Sequence, residues 1–413
     1  MNLKDQYIFI LGNARYDSPF ESTSVTVARY LAAGNDVFYI DNPFTWKDYF
    51  KRRDSQQFKN RKDYFADSSF GLIDTAVARF KILITSPLLS LNFLPEGPLY
   101  RLLLKYNERL IARRIKLVMK KYGIKDFIFI NFFNFHYPNV GDRVGAPLKV
   151  YYCVDPLIIP FDMKHGFVSE DKLVRESDLV ICTSRQLYEE NKERNKETYF
   201  IANAADISHS SKALSPDLQV HSSILALKKP VIGYFGAIER RMDYDLLHEA
   251  AKQNPDKSFV LAGPVSPEFT PGWLYNTPNV HLPGRVPYDQ MPAMIKGFDI
   301  AIIPFKSDKV SRTIFPLKLF EYLGAGKPVI STDFNPDLKE FTKDAVVYCS
   351  DADAFSAAIS TILKEDNGDR EKERLAIASE NTWEARIRVI SSLLANALGR
   401  KKNPDHTSIN RIS

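Results

Sequence analysis

Residues 315–332, FPLKLFEYLGAGKPVIST, read as a short helix, a glycine turn and a buried strand. Pro316 suits the first helical position, where its missing N–H costs nothing and its fixed φ fits the helix. At roughly 100° per residue, Pro316, Leu319, Phe320 and Leu323 share a stripe that must face a core, and Lys318, Glu321 and Tyr322 share the opposite face. Gly324 and Gly326 end the helix. Pro328, Val329 and Ile330 are apolar enough for a strand covered on both sides.

No Ser, Thr, Asp or Asn directly precedes Pro316, so the first-turn N–H groups lack an obvious side-chain cap. Uncapped donors at the positive end of a helix dipole make an anion site, and Lys318 adds a full charge within the first turn. Glu321, three residues on, offers a bidentate acceptor of the sort that holds a ribose diol. Alternatively, Lys318 and Glu321 form a solvated (i, i+3) ion pair worth about 0.2–0.5 kcal/mol. The flanking turn and strand favour a site.

The run PLKLFEYLGAGKPVIST resembles the nucleotide-sugar signature of GT-B glycosyltransferases of group 1 (family 4), a group of retaining enzymes, and within it the bacterial teichuronic-acid and exopolysaccharide transferases. The resemblance implies an α/β fold of two Rossmann-like parallel-sheet domains facing across a cleft, with a C-terminal helix crossing back to the first. In that family the second glutamate of a Glu–seven residues–Glu motif grips the donor ribose, and it matches Glu321. The first would fall at Thr313, a departure that bears on the contact to the donor sugar ring. Phe315, Pro316 and Leu317, leading into the helix, belong to the implied donor site.

At 413 residues the chain is too long for one ordinary core, and two domains are expected. With 45% hydrophobic and 12% aromatic residues it is globular, not disordered. Cys153, Cys182 and Cys349 are odd in number and widely spaced, which suggests neither a disulfide framework nor a metal knuckle. Cys153 and Cys182 lie in apolar runs and read as buried thiols in a reducing compartment. The N-terminal MNLKDQYIFILG has too short an apolar run for a signal peptide, and residues 82–94, broken by Pro87, fall short of the ~20 residues a span needs. A cytoplasmic protein is therefore expected, with any membrane contact peripheral. Residues 47–125 hold 18 Lys/Arg against 7 Asp/Glu, although the whole chain nets only +6. Such a basic, aromatic-rich block suits an anionic membrane, an acidic substrate or nucleic acid. No nucleic-acid module accompanies it, so the inner membrane surface is the favoured partner and nucleic acid is not expected.

Residues 7–11, a helix over 22–33 and a strand over 36–41 make a βαβ opening with Gly12 and Asn13 at the first strand end, where open α/β sheets hold ligands. The absence of G-x-G-x-x-G argues against a nicotinamide dehydrogenase. Residues 14–23, ARYDSPFEST, loosely resemble the acceptor-side loop of the transferase family, bringing Asp17 in with Gly12 and Asn13. Residues 44–122 interrupt the alternation. Within them Leu102, Leu103, Leu110, Ile111, Leu117 and Val118 give an apolar face to a basic helix carrying Arg101, Lys105, Arg109, Arg113, Arg114, Lys116, Lys120 and Lys121. Such a helix lies on anionic lipid, or is a solvated face over an ordinary core helix. Strands resume at 126–131, 149–154 and 179–183. His136 and Asp155 follow two of these strand ends and are catalytic candidates, because in the family a histidine or acid of this lobe often approaches the sugar; a structural role is the alternative.

IANAAD, residues 201–206, resembles the family's hinge, which puts an acceptor-binding domain at 1–206. A Ser-rich linker follows at 207–229, then a nucleotide-sugar domain at 230–381, a crossover helix at 382–399 and a polar tail at 400–413. Strands at 231–235, 258–262, 279–282, 299–304, 328–331 and 345–348 alternate with helices, as in a parallel sheet covered on both faces.

Sugar transfer from a nucleotide diphosphate needs the charge developing on the departing diphosphate to be neutralised. Asp243–Asp245 and Asp351–Asp353 have the spacing that bridges a metal in another transferase fold. Both pairs open expected helices, however, where carboxylates cap N–H groups, so no metal site is assigned. The family usually places Arg and Lys where this chain has Ala237 and Met242. Arg240 or Arg241 then becomes the candidate phosphate cation beside Lys318, with a helix-coating role as the alternative. Gly236, Gly263 and Gly284 end strands, where backbone approaches a ligand closely, and by resemblance Arg285 and Val286 lie near the nucleobase. The whole implies a metal- and cofactor-independent transferase that takes a sugar from a UDP- or GDP-type donor to a lipid-linked or cell-surface polysaccharide acceptor. A non-catalytic nucleotide-sugar-binding scaffold, a GT-B sugar-nucleotide epimerase and a nucleic-acid-binding protein with steep salt dependence are the rivals.

Overall fold

Long apolar runs such as YIFIL at Tyr7–Leu11 and IFINF at Ile128–Phe132 are covered on both faces, as a parallel sheet demands. The computed structural model describes residues 3–18, 22–158 and 160–402. The expectations for residues 19–21 of the acceptor-like loop and for the tail at 403–413 lie outside the described residues. The chain divides into two units, one running to Ala202 and regaining the chain from Ile387, the other Asn203–Arg386.

Among the described residues the first unit holds β1 (Tyr7–Leu11), β2 (Asp36–Ile40), β3 (Leu72–Asp74), β4 (Phe80–Leu83), β5 (Ile128–Phe132), β6 (Leu148–Cys153), β7 (Leu179–Cys182) and β8 (Thr198–Phe200). They lie in the order β3-β4-β2-β1-β5-β6-β7-β8, parallel except for the β3–β4 pair. The order reverses between β1 and β5, which sets a topological switch point beside Gly12. The 44–122 region is thus no mere interruption, since it gives the sheet β4, paired in parallel with β2. Cys153 and Cys182, buried free thiols, face one another across β6 and β7.

The basic helix spans Pro98–Tyr122, and its buried face carries Leu104, Glu108, Ile111, Ile115 and Val118. Two readings of that helix are corrected. Leu102 is 63% exposed, and Arg114, expected outside, is buried with its guanidinium donating to the carbonyls of Phe65 and Ala66 at 2.6 and 2.8 Å. An arginine that satisfies two loop carbonyls is held inside by those bonds, which face counting at helical periodicity does not reveal.

The second unit holds β9 (Val231–Phe235), β10 (Ser258–Ala262), β11 (Val280–Gly284), β12 (Ile300–Ile303), β13 (Val329–Thr332) and β14 (Val346–Cys349). They form a wholly parallel sheet in the order β11-β10-β9-β12-β13-β14. Taken in chain order this is the 3-2-1-4-5-6 arrangement of a doubly wound sheet, with its switch point between β9 and β12. Residues 207–229, read as a linker, contain the short helices Ile207–Ser210 and Ser222–Leu225 and are part of this unit. Ile224 is buried there, and a Cβ at Gly297 would meet its side chain. The two Asp-x-Asp pairs open helices as caps: Asp243 accepts from the Leu246 N–H at 3.0 Å and Asp351 from that of Ala354 at 2.8 Å. Among the described residues no helix is long and apolar enough to cross a membrane.

Candidate functional site

Ligands of doubly wound sheets bind outside the carboxyl ends of the strands at the switch point, and in the second unit that place is the segment after β9. Its backbone is fixed on both sides. Ile238 N–H donates to the Pro264 carbonyl beyond β10 at 2.9 Å, while Asp243 and Lys306 N–H groups tie the segment to the chain beyond β12 at 2.8 Å each. Gly236 begins the segment at φ +147°, a conformation that L side chains rarely adopt. A Cβ at Gly236 would collide with the Lys318 ammonium, and one at Gly263 would overlap the Gly236 carbonyl oxygen. Gly236 is therefore required by its backbone conformation and Gly263 by its packing against backbone. Gly263→Ala is expected to destabilise the protein by about 1–3 kcal/mol, read as a lowered midpoint in urea; an unchanged midpoint would contradict the close approach.

Lys318 lies on the helix Leu317–Gly324, which Pro316 precedes in extended conformation with no side-chain cap. Pro316 is thus the capping residue and not the first helical residue. Phe315 beneath it stacks on Phe320 at 5.7 Å and meets Phe341 edge-on at 5.0 Å, fixing the helix start. The Lys318 Nζ donates to the Tyr234 hydroxyl at 2.6 Å and stands over the rings of Tyr234 and Phe305, 4.1 and 5.2 Å from their centroids. Tyr234 in turn donates to the Ala237 carbonyl at 2.9 Å. Although the residue as a whole keeps some exposure, burial of its ammonium, with Arg241 adding repulsion, brings the Lys318 pKa down to about 7. A desolvated cation beside a glycine backbone is poised for an anion.

Glu321, one turn further on, is 6% exposed and accepts from the Tyr288 hydroxyl at 2.8 Å. His209 stacks on the Tyr288 ring and pairs with its carbonyl at 2.8 Å, so the tyrosine is held from behind. Tyr322, expected beside Lys318 and Glu321 on the open face, is fully buried. Its hydroxyl accepts from the Phe235 N–H at 2.7 Å, pinning the end of β9. That is a correction with a plain cause: strand ends need hydrogen-bond partners, and a phenol reaches one from within the core.

Arg240 and Arg241 form the turn after Ile238, and Arg241 pairs with Glu239 at 2.7 Å while its charge acts on Lys318. Met242, where the resemblance has a lysine, is fully buried and bridged to Phe305. Thr313, where it has a glutamate, is buried with its hydroxyl on the Val310 carbonyl at 2.6 Å. Gly284, at φ +79°, ends β11 opposite Ala262; Arg285 beyond it is exposed, and Val286 and Leu317 are half-buried. Gly236, Gly263, Lys318 and Arg241 are thus gathered at one strand end, with Glu321 on the same helix. Tyr234, Tyr288 and His209 were missed by sequence reading, since an aromatic in a strand or after Pro287 carries no signal of its partner.

In the first unit, Gly12 accepts from the Asn134 amide at 2.8 Å and the Asn13 carbonyl from Asn42 at 3.0 Å, both at the β1–β5 switch point. Asp17 is tied to the fully buried Arg61 at 2.6 Å, which also holds Asp41 at 2.8 Å. Burial works against the Asp17 carboxylate, but the hydrogen bonds from Arg61 and Asn60 and the Arg61 charge together outweigh it and hold its pKa low. His136 lies 3.7 Å from Asp162, and burial lowers its pKa; Asp155 is exposed after β6. Among the described residues no cluster of His, Cys, Asp or Glu is arranged for a metal ion.

Residues 229–365 match the family model for Glycosyl transferases group 1. The chain is 27% identical over 275 residues to the protein named for teichuronic acid biosynthesis, glycosyltransferase TuaH, of Bacillus subtilis (strain 168); the match covers 62% of this chain and 68% of that protein. Sucrose-phosphate synthase from Thermosynechococcus elongatus superposes with a TM-score of 0.64 at 16% identity, over 95% of this chain and 99% of the other. HepE of Anabaena, solved in complex with UDP, gives 0.63 at 14% identity, over 95% and 100%. The fold is that of GT-B glycosyltransferases, and the second unit carries the group 1 domain of a transferase.

Proposed function

We propose that this chain, whose residues 229–365 are a group 1 glycosyltransferase domain, moves a sugar from a UDP- or GDP-type donor to a lipid-linked or cell-surface polysaccharide acceptor. The observation that carries the reading is the Lys318 ammonium against Gly236 at the switch point, with Glu321 one turn along the same helix. The donor diphosphate would lie on the Gly236 backbone and Lys318, its ribose diol on Glu321, and its base near Arg285 and Val286. As the glycosidic bond to the diphosphate breaks, Lys318 and Arg240 or Arg241 balance the charge gathering on the leaving oxygens. With Ala237 and the buried Met242 in the family's two cation positions, Lys318 bears most of that task. The acceptor hydroxyl attacks from the face the diphosphate leaves, and a phosphate oxygen takes its proton, so configuration is retained without a protein nucleophile. UDP bound to HepE supports a uridine donor as the first to try. The acceptor is met at the cytoplasmic membrane face, approached through the basic region at 47–125.

The test is nucleotide release from a panel of UDP- and GDP-sugars, with and without membrane extracts as acceptor source. Acceptor-dependent release from one donor class is expected. Donor binding without turnover under every condition would replace the enzyme by a scaffold.

A further inference from the structure

The turn that follows β5 is strained and held from several sides. Phe133 keeps φ at +50°, in the left-handed region that bulky side chains avoid. Asn131, the penultimate residue of β5, gives both of its side-chain polar atoms to Asn134. Its oxygen accepts from the Asn134 N–H at 2.8 Å, and its amide donates to the Asn134 carbonyl at 3.1 Å. That carbonyl also accepts from the Tyr137 N–H at 3.3 Å, closing a turn in which His136 is the third residue.

The Asn134 amide ties this turn to the end of β1 through the Gly12 carbonyl at 2.8 Å. Gly12 is itself closely packed, since a Cβ there would overlap the Tyr39 phenol, whose hydroxyl is shared between the Ala14 carbonyl and Ser24. At the far side, Asn139 gives its N–H and its amide to the buried Glu108 at 2.8 and 2.7 Å. Asn131 and Asn134 are buried, yet the Asn134 side-chain oxygen has no hydrogen-bond partner. A strained φ and an unpaired buried acceptor both cost stability. What the turn delivers is His136. Phe135 is anchored in the apolar cluster with Tyr151 and Leu157, its ring 4.5 Å from that of His136, whose side chain stays 33% exposed. Asp162 and His165 are the titratable groups acting on His136, and His165 is paired with Glu96 at 2.7 Å. Burial outweighs Asp162 and keeps the His136 imidazole neutral at neutral pH.

We infer that Asn131 and Asn134 are positioning residues: by holding Phe133 in the left-handed region they fix His136 at the ligand end of the β1–β5 switch point, in register with the loop after Gly12. A neutral imidazole fixed there can exchange a hydrogen bond with a sugar hydroxyl; in giving it a sugar to meet, the inference rests on the transferase reading. The asparagines act only through the histidine.

NMR of the full chain labelled at histidine, with His136→Gln to assign the signal, reads the placement without a substrate. The wild-type His136 midpoint should lie below the ordinary imidazole value of 6.5. Asn134→Ala should move it back toward that value, and so should Phe133→Val, whose β-branched side chain resists a left-handed φ. Phe133→Gly adopts that φ freely and should leave the midpoint in place, although loss of the ring lowers its melting temperature. Asn131→Asp keeps the acceptor and loses the donor, and should fall between. With a donor identified by nucleotide release, kcat should fall about 10–100-fold in Asn134→Ala and Phe133→Val. Donor KM and UDP affinity should not change in either. A midpoint that stays put in both variants, a glycine variant that behaves as the valine one, or a midpoint that moves while kcat does not would each overturn the inference. Should Asn134→Ala fail to fold, the two Phe133 variants and Asn131→Asp decide it. A wild type that neither binds UDP nor turns over any donor, while the midpoints follow the expected pattern, would overturn the transferase reading alone and leave the asparagine turn standing.

Discussion

Replacing Glu321 by alanine is expected to raise the Kd for UDP by about two orders of magnitude. Two hydroxyls of a ribose bound by one carboxylate make two charge-assisted hydrogen bonds, and in a site closed to water neither is replaced by solvent. The carboxylate is already fixed before a ligand arrives: it is 6% exposed and held by Tyr288, which His209 supports from behind. Ligand ordering therefore costs little side-chain entropy. Glu321→Gln keeps the shape with a neutral group and should fall between the two. Titration calorimetry with UDP and with its 2′,3′-dideoxy form separates the causes, because the alanine variant should no longer distinguish them. An alanine variant that binds UDP as the wild type does would remove the ribose from Glu321.

The second large effect is on turnover. Lys318→Met should lower kcat/KM by about 10²–10³-fold, more than Glu321→Gln, because a fixed cation at the departing diphosphate gains most as charge develops there. Its signature is a pH profile. Burial, with Arg241 adding to it, depresses the Lys318 pKa to about 7, so above that value the free protein must take up a proton to bind a diphosphate. Donor affinity should fall about tenfold per pH unit above 7 in the wild type and stay flat in Lys318→Met. Stability moves the other way. The unfolded chain holds this proton up to about 10.5 and the folded chain does not, so wild-type stability should rise from pH 7 toward 10 while the methionine variant lacks that rise. A wild-type affinity that is level from pH 6 to 9 would separate Lys318 from the phosphate.

The fold was largely legible because parallel strands announce themselves as apolar runs. β1, β9 and β10 fall on the residues where periodicity places them, and the other foreseen strands shift by a residue or two. β4 was not seen, since FKIL alternates too weakly to stand out between a basic stretch and Pro87. Helix faces were legible only where burial is simple. Leu319, Phe320 and Leu323 are buried as their stripe requires, whereas Tyr322 and Arg114 are drawn inside by backbone groups that periodicity does not register. At the site, glycine at strand ends and a lysine–glutamate pair on one helix were readable. The phenol of Tyr234 under Lys318 was not, because that contact joins residues 84 positions apart.

The most direct measurement is the structure of the UDP complex. The β-phosphate is predicted within hydrogen-bond distance of the Lys318 ammonium and the backbone after Gly236, with both ribose hydroxyls on the Glu321 carboxylate. Nucleotide density elsewhere in the chain, with the Lys318–Tyr234 pair undisturbed, would contradict the account.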